Sequence, residues 1–272
     1  RVNGASNIVL RNLTIKYGYW GIRFTNSTDN IVEYCTLKPV YSGIHFSTGA
    51  GQSIVRFCEI SANVYHRMAT QNERANVRSI SKDMMTTPER QPYSADKFMT
   101  FVDSNSVGDV LFHDNYIHKS GVGFEIRQAN VEVDHNYLDH MYQDGFAMNY
   151  GTVSNSSVHD NFFNNILQCR FMSLVDGPAY VYRNFFIGGD TSEDVFSFYN
   201  AAVAHGAYIY NNTIVTKRGG DLVDGAFWLR NGDSSSAYNG YYLYNNLLYG
   251  DVYLRRYENN YPPDWHADHN VY

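Results

Sequence analysis

The chain has 272 residues, 44% of them apolar, a net charge of −6 and a pI near 5.9. That apolar content can bury a large core, and the acidic balance argues against a nucleic-acid partner. No apolar run approaches the roughly 18 residues of a membrane span, and three cysteines are too few for a disulfide framework.

From its first residues the chain repeats one phrase: apolar, variable, one or two polar residues, a small polar anchor, then apolar again. The segments are Val9–Ile15 around Asn12, Ile31–Leu37 around Cys35, Ile54–Ile60 around Cys58, Val110–Ile117 around Asn115 and Val131–Leu138 around Asn136. They continue as Val158–Phe163 around Asn161, Val181–Phe186 around Asn184, Ile209–Ile214 around Asn212, Leu243–Leu248 around Asn246, and His269–Tyr272 around Asn270. Anchors recur 23, 23, 57, 21, 25, 23, 28, 34 and 24 residues apart. A period near 23 marks a solenoid with one coil per repeat, so residues 1–272 read as a single domain. The chain opens almost inside its first repeat and stops inside its last, with no signal-peptide pattern at Arg1, which reads as a fragment or a processed form.

Each repeat divides into three short strands. Val110–Asp114 leads to Asn115, Tyr116–His118 follows, and after a Lys-Ser-Gly turn Gly123–Gln128 makes the third. Asn suits the bend between the first two strands because it tolerates the left-handed conformation, and its amide can stack on the equivalent Asn one coil away. Cys35 and Cys58 hold the same phase in adjacent coils, about 4.8 Å apart. They read as stacked buried thiols, with a disulfide as the alternative.

The third strands align as rungs: Ile22–Thr25, Ile44–Ser47, Phe98–Val102, Phe124–Arg127, Phe146–Asn149, Phe171–Leu174, Phe196–Tyr199, Phe227–Arg230 and Val252–Arg255. Alternation sends Ile22, Phe24, Ile44, Phe46, Phe124, Ile126, Phe146 and Met148 inward. Arg23, His45, Glu125, Arg127, Asn149, Tyr199, Trp228, Arg230 and Arg255 then face out; Phe98–Val102 fits either phase. An insertion of roughly 35 residues, at about 61–97, breaks the third coil and carries His66, Lys82 and Lys97 among its charges. Such a loop is expected to wall one side of the outward ladder.

This repeat resembles the right-handed parallel β-helix of the pectate-lyase-like superfamily. The resemblance implies an all-β, single-stranded helix of about nine to ten coils. It further implies a secreted, periplasmic or cell-surface protein acting on carbohydrate. Hydrolases, lyases, epimerases and inert fibres share the fold, so activity must be read from the site. The motifs of polygalacturonases (Asn-Thr-Asp, Gly-His-Gly, Arg-Ile-Lys) and the Arg-x-Pro-x-x-Arg of pectate lyases are absent.

Lyases of this fold neutralise a uronate carboxylate and remove the α-proton with a base. By that resemblance Glu125 with Asn149 offers oxygen ligands for Ca2+, and Arg127, His45 or Lys97 (or Lys82) serves as base or charge stabiliser. Arg23, Asn149, Tyr199, Trp228 and Arg230 are the expected substrate contacts, through charge and through stacking on sugar faces. The leading reading is β-elimination on an anionic polysaccharide. One alternative is a non-catalytic surface, filament or glycan-binding module. Another is an inverting hydrolase drawing paired carboxylates from Glu125, Asp103, Asp144, Asp176 and Asp194. His113, His135 and His159 recur at one phase, which reads as a surface ladder rather than as zinc ligands.

Overall fold

The computed structural model describes residues 1–17, 19–39, 42–61, 98–149, 151–172, 177–188, 194–199, 206–216, 225–230, 239–250, 254–256 and 264–271. Among them every strand pairing is parallel and joins one repeat to the next, so the chain winds as a right-handed parallel β-helix. The strands that precede the anchors form a ten-stranded sheet, from Val9–Arg11 through Gly108–His113 and Ser156–His159 to Asp264–Asp268. The other two strands of each coil belong to one 16-stranded sheet. They merge because Tyr116–Ile126, Tyr137–Asn149 and Phe162–Met172 run unbroken through a bend at Lys119, His140 and Asn165, each in the left-handed region. Where short separate strands were expected, the middle coils therefore carry strands of 11 to 13 residues. No helix among the described residues is long and apolar enough to cross a membrane.

The core is three stacks of like residues at successive rungs. Val32, Val55, Phe112, Val133, Val158, Val181 and Ile209 line the ten-stranded sheet, and Leu37, Ile60, Ile117, Leu138, Phe163, Phe186 and Ile214 face them from beyond the anchor. From the third strands Ile22, Phe24, Ile44, Phe46, Phe124, Ile126, Phe146 and Met148 point inward, as the alternation predicts. Phe24 stacks on Phe46 at 5.1 Å and Phe163 on Phe186 at 4.6 Å. A buried side chain of this size contributes about 1.5–3 kcal/mol.

Of the two roles expected of the anchors, stacking one coil upon the next holds and the left-handed corner does not. The left-handed residue is the one before the anchor: Asp114, His135, Asp160, Arg183, Asn211, Asn245 and His269, with φ between 51° and 55°. The Asn itself turns inward. Asn115, Asn136, Asn161, Asn184, Asn212 and Asn246 form a buried ladder that ends on half-buried Asn270, and each Nδ2 donates to the next Oδ1 at 2.9–3.0 Å. The same Oδ1 also accepts from the backbone N–H of the previous anchor, as Asn161 does from Asn136 at 2.8 Å. In the first coil Asn12 takes the left-handed place, opposite Tyr34, so the anchor there is Leu13 and not Asn12. Cys35 and Cys58 fill the anchor position as separate buried thiols donating to backbone carbonyls, so the disulfide alternative falls away.

Two glycines fix the entry to the third strand. A Cβ on Gly43 would collide with the Met99 carbonyl and the Ile60 side chain. One on Gly123 would meet the Gly145 carbonyl and Leu138. The neighbouring coil approaches too closely there for any side chain.

Candidate functional site

The register of the third strands aligns Arg23, His45, Phe101, Glu125 and Ala147 in one row on the side away from the core, with His45, Glu125 and Ala147 buried, and the backbone of Arg170, Ser197, Trp228 and Arg255 continues that register. Two entries correct or complete the sequence reading. The third rung resolves with Thr100 and Val102 inward and Phe101 outward, and the Thr100 hydroxyl donates to the Gly123 carbonyl at 2.8 Å. The sixth rung begins earlier than Phe171: buried Cys169 takes an interior place and the Arg170 backbone continues the row. A parallel row two residues on holds Ser47, Asp103 and Arg127, then Asn149, Met172, Tyr199 and Arg230 by register. Lys97 and Lys82 lie outside the described residues. For Asn149, Tyr199, Trp228 and Arg230 only backbone position is described, and it agrees with the predicted rows.

The first four rungs pack into one patch. His45 lies over Phe101 with ring centroids 4.7 Å apart, and the Arg127 guanidinium sits 4.9 Å from the same ring. Arg23 covers the Trp20 ring at 4.3 Å and donates to the Ser47 hydroxyl at 3.1 Å, while Trp20 meets His45 edge-on at 6.1 Å. Glu125 and Arg127, expected to stand apart in a groove, instead pair at 2.9 Å, and the Glu125 side chain is only 1% exposed against 29% for Arg127. Glu125 is thus a buried counter-charge that sets the guanidinium, and a calcium ion held by Glu125 and Asn149 would have to displace that pair. Trp20 and Phe101 escape a sequence reading for different reasons. Trp20 precedes the rung, beyond Gly21, and Phe101 sits in the rung whose phase was ambiguous.

Polar atoms without a partner gather at this patch. Among the described residues the buried Trp20 Nε1, Arg23 Nε, Thr25 Oγ1, Ser42 Oγ and His45 Nε2 have no hydrogen bond within 3.5 Å and belong to the adjacent strands Trp20–Thr25 and Ser42–Phe46, while His118 and His140 carry such atoms elsewhere. Buried polar groups are ordinarily satisfied, so such a concentration marks a place built to meet something. His45 is the most perturbed of them. Burial, and then the Arg23 charge, bring its pKa down to about 4, while Asp103 at 3.8 Å pulls the other way without cancelling them. At neutral pH it is an uncharged imidazole between two guanidinium groups.

A solved structure shares this architecture. The tailspike protein of the E. coli bacteriophage HK620, determined as a double mutant in complex with a pentasaccharide, superposes with a TM-score of 0.64 at 13% identity. The match takes in 92% of this chain and 44% of the tailspike, so the chain spans less than half of that protein's length. At that identity the likeness establishes the coil and nothing of its chemistry. No protein-family model and no curated relative matches the sequence.

Proposed function

We propose that the outward face of the third strands, from Trp20 to Arg127, binds an anionic polysaccharide. The observation that carries this reading is the group of buried polar atoms without a hydrogen bond on Trp20, Arg23, Thr25 and Ser42, next to His45 and flanked by aromatic rings. Sugars present what that surface lacks: hydroxyls for Nε and Oγ atoms, and apolar ring faces for Trp20 and Phe101. Rungs repeat every 4.8 Å or so along a straight row, which suits an extended polymer. Arg23 and Arg127 supply positive charge on an otherwise acidic chain and match carboxylate or sulfate. The pentasaccharide on the tailspike supports carbohydrate as the ligand class.

The chemistry we assign is β-elimination, in keeping with the pectate-lyase-like resemblance and an extracellular or periplasmic setting. Arg23 and Arg127 neutralise the uronate carboxylate, which acidifies the adjacent C–H. His45, neutral at working pH, accepts that proton as the glycosidic C–O bond breaks and a C=C bond forms, and the departing oxygen takes its proton from solvent. A histidine at about 4 is a weak base; a bound carboxylate offsets the arginine charges but not the burial that lowers it most. Calcium is not needed for this scheme.

One observation favours a second reading. Asp103 lies one rung before Arg127 and diagonally across from Glu125, a Cα separation of about 7–8 Å. Inverting hydrolases need two carboxyl groups about 6.5–9.5 Å apart, and these two stand on neighbouring rungs. Incubation with a panel of uronate-containing and sulfated glycans separates the readings. Elimination yields an ultraviolet-absorbing unsaturated end, and hydrolysis yields reducing ends without it. Binding that is lost in Arg23→Ala, with neither product, indicates a non-catalytic module. A panel that neither binds nor is cleaved overturns the carbohydrate assignment.

A further inference from the structure

On the opposite wall of the coil, at the corner before the anchors, the fourth and fifth repeats bring His113, Asp134 and His135 together. Each offers one ligand atom, and these atoms lie within 4.8 Å of one another. His113 Nδ1 is 2.9 Å from both Asp134 oxygens, and His135 Nδ1 is 2.8 Å from Asp134 Oδ2. The expectation of a plain surface ladder does not account for this convergence. The rows are mixed: His113 stands opposite Asp134 across two coils, whereas His135 reaches Asp134 as its sequence neighbour. His135 does so because it occupies the left-handed position, φ 53°, which swings its side chain back along the corner.

We propose that His113, Asp134 and His135 form a site for a divalent transition cation of the kind that favours imidazole, such as Zn2+, Ni2+ or Co2+. Two imidazole nitrogens with one carboxylate oxygen are a common donor set for these ions, with solvent filling the open positions. The burial is graded as such a site requires. Asp134 is 11% exposed and held by the coil, His113 is 32% exposed, and His135 is 54% exposed and accessible to an entering ion. The outer contact is also in place. Asp114 Oδ2 lies 2.8 Å from His113 Nε2, and a hydrogen held on that nitrogen would leave Nδ1 to the ion. A carboxylate behind a ligating histidine fixes its tautomer and orientation in this way. Among the described residues the arrangement is confined to these two coils. One repeat further on, His159 is divided between Glu132 at 3.0 Å and Asp160 at 2.8 Å, and Asp160 is bound to Arg183. That guanidinium takes the place a cation would fill.

Zinc and nickel titrations by calorimetry in a non-chelating buffer test the site on the full chain. The expected result is saturable one-to-one binding, weakened at least about tenfold in His113→Ala and in His135→Ala and unchanged in His159→Ala. Both substituted residues are on the outside of the coil, and far-UV circular dichroism verifies that the variants remain folded. On the wild-type chain, Co2+ should develop the visible absorption of a low-symmetry nitrogen–oxygen site, and zinc should raise the melting temperature by linking adjacent coils. Absence of saturable binding, or affinity retained in both His113→Ala and His135→Ala, overturns the proposal. The cluster is then a hydrogen-bonded surface pair.

Discussion

Replacing Asn161 by alanine tests what the repeated asparagine is for. Its Oδ1 accepts from the Asn136 backbone N–H at 2.8 Å and from Asn136 Nδ2 at 3.0 Å. Its Nδ2 donates to the Val133 and His159 carbonyls, both at 2.8 Å, and to Asn184 Oδ1 at 3.0 Å. Alanine removes all five contacts. Some of the stranded groups keep a second partner: Asn136 Nδ2 still reaches Phe112 and Asp134, and Asn184 Oδ1 still accepts from the Asn161 N–H. The Asn136 N–H loses its acceptor in a dry interior. One such group costs about 1–3 kcal/mol, and each of the weakened ones adds a fraction of that, so the expected loss is about 3–5 kcal/mol. Urea denaturation followed by circular dichroism reads it. Asn161→Gly is the informative companion. If Asn served the left-handed corner, glycine would substitute well; in a side-chain ladder it must cost as much as alanine or more. A glycine variant within about 1 kcal/mol of wild type would refute the ladder argument.

Four further outcomes follow from the same contacts. Gly123→Ala should destabilise by about 1–3 kcal/mol, because its Cβ meets a backbone carbonyl that cannot move aside, and an unchanged denaturation midpoint would contradict that packing. With His45 held near 4 in the folded chain and near 6.5 when unfolded, the unfolded state binds the extra proton between those values. Its contribution to stability is therefore complete above about 6.5 and is lost as pH falls toward 4; in His45→Gln that pH-dependent loss should be absent. Burial pushes the Cys58 thiol up to about 12, and all three cysteines are buried, so a thiol reagent at pH 8 should label none in the native protein and three in denaturant. Glu125→Gln should lower glycan affinity or turnover by freeing Arg127 without unfolding the coil, and full activity in that variant would remove Glu125 from the site.

The sequence by itself determined the coil. A phrase recurring about every 23 residues, with alternating apolar positions, leaves no solution that buries its core except stacking like upon like, and the inward residues from Ile22 to Met148 follow from period two alone. Conformation at the anchors was harder to read, because Asn serves equally well as a left-handed corner and as a buried amide. The choice fell to the neighbour: Asp114, His135 and Arg183 take the bend, and the hydrogen-bond demand of the dry interior claims the Asn.

Site residues divide along the same line. Arg23, His45, Glu125 and Arg127 were legible as residues on the side of the strands away from the core, because strand alternation is a local rule. That Phe101 faces out and that Asp134 lies between His113 and His135 depends on register between residues 20 or more positions apart, whereas Arg127 turns back onto Glu125 within one strand. Register is decided by the packing of whole coils, and only the tertiary structure can supply it.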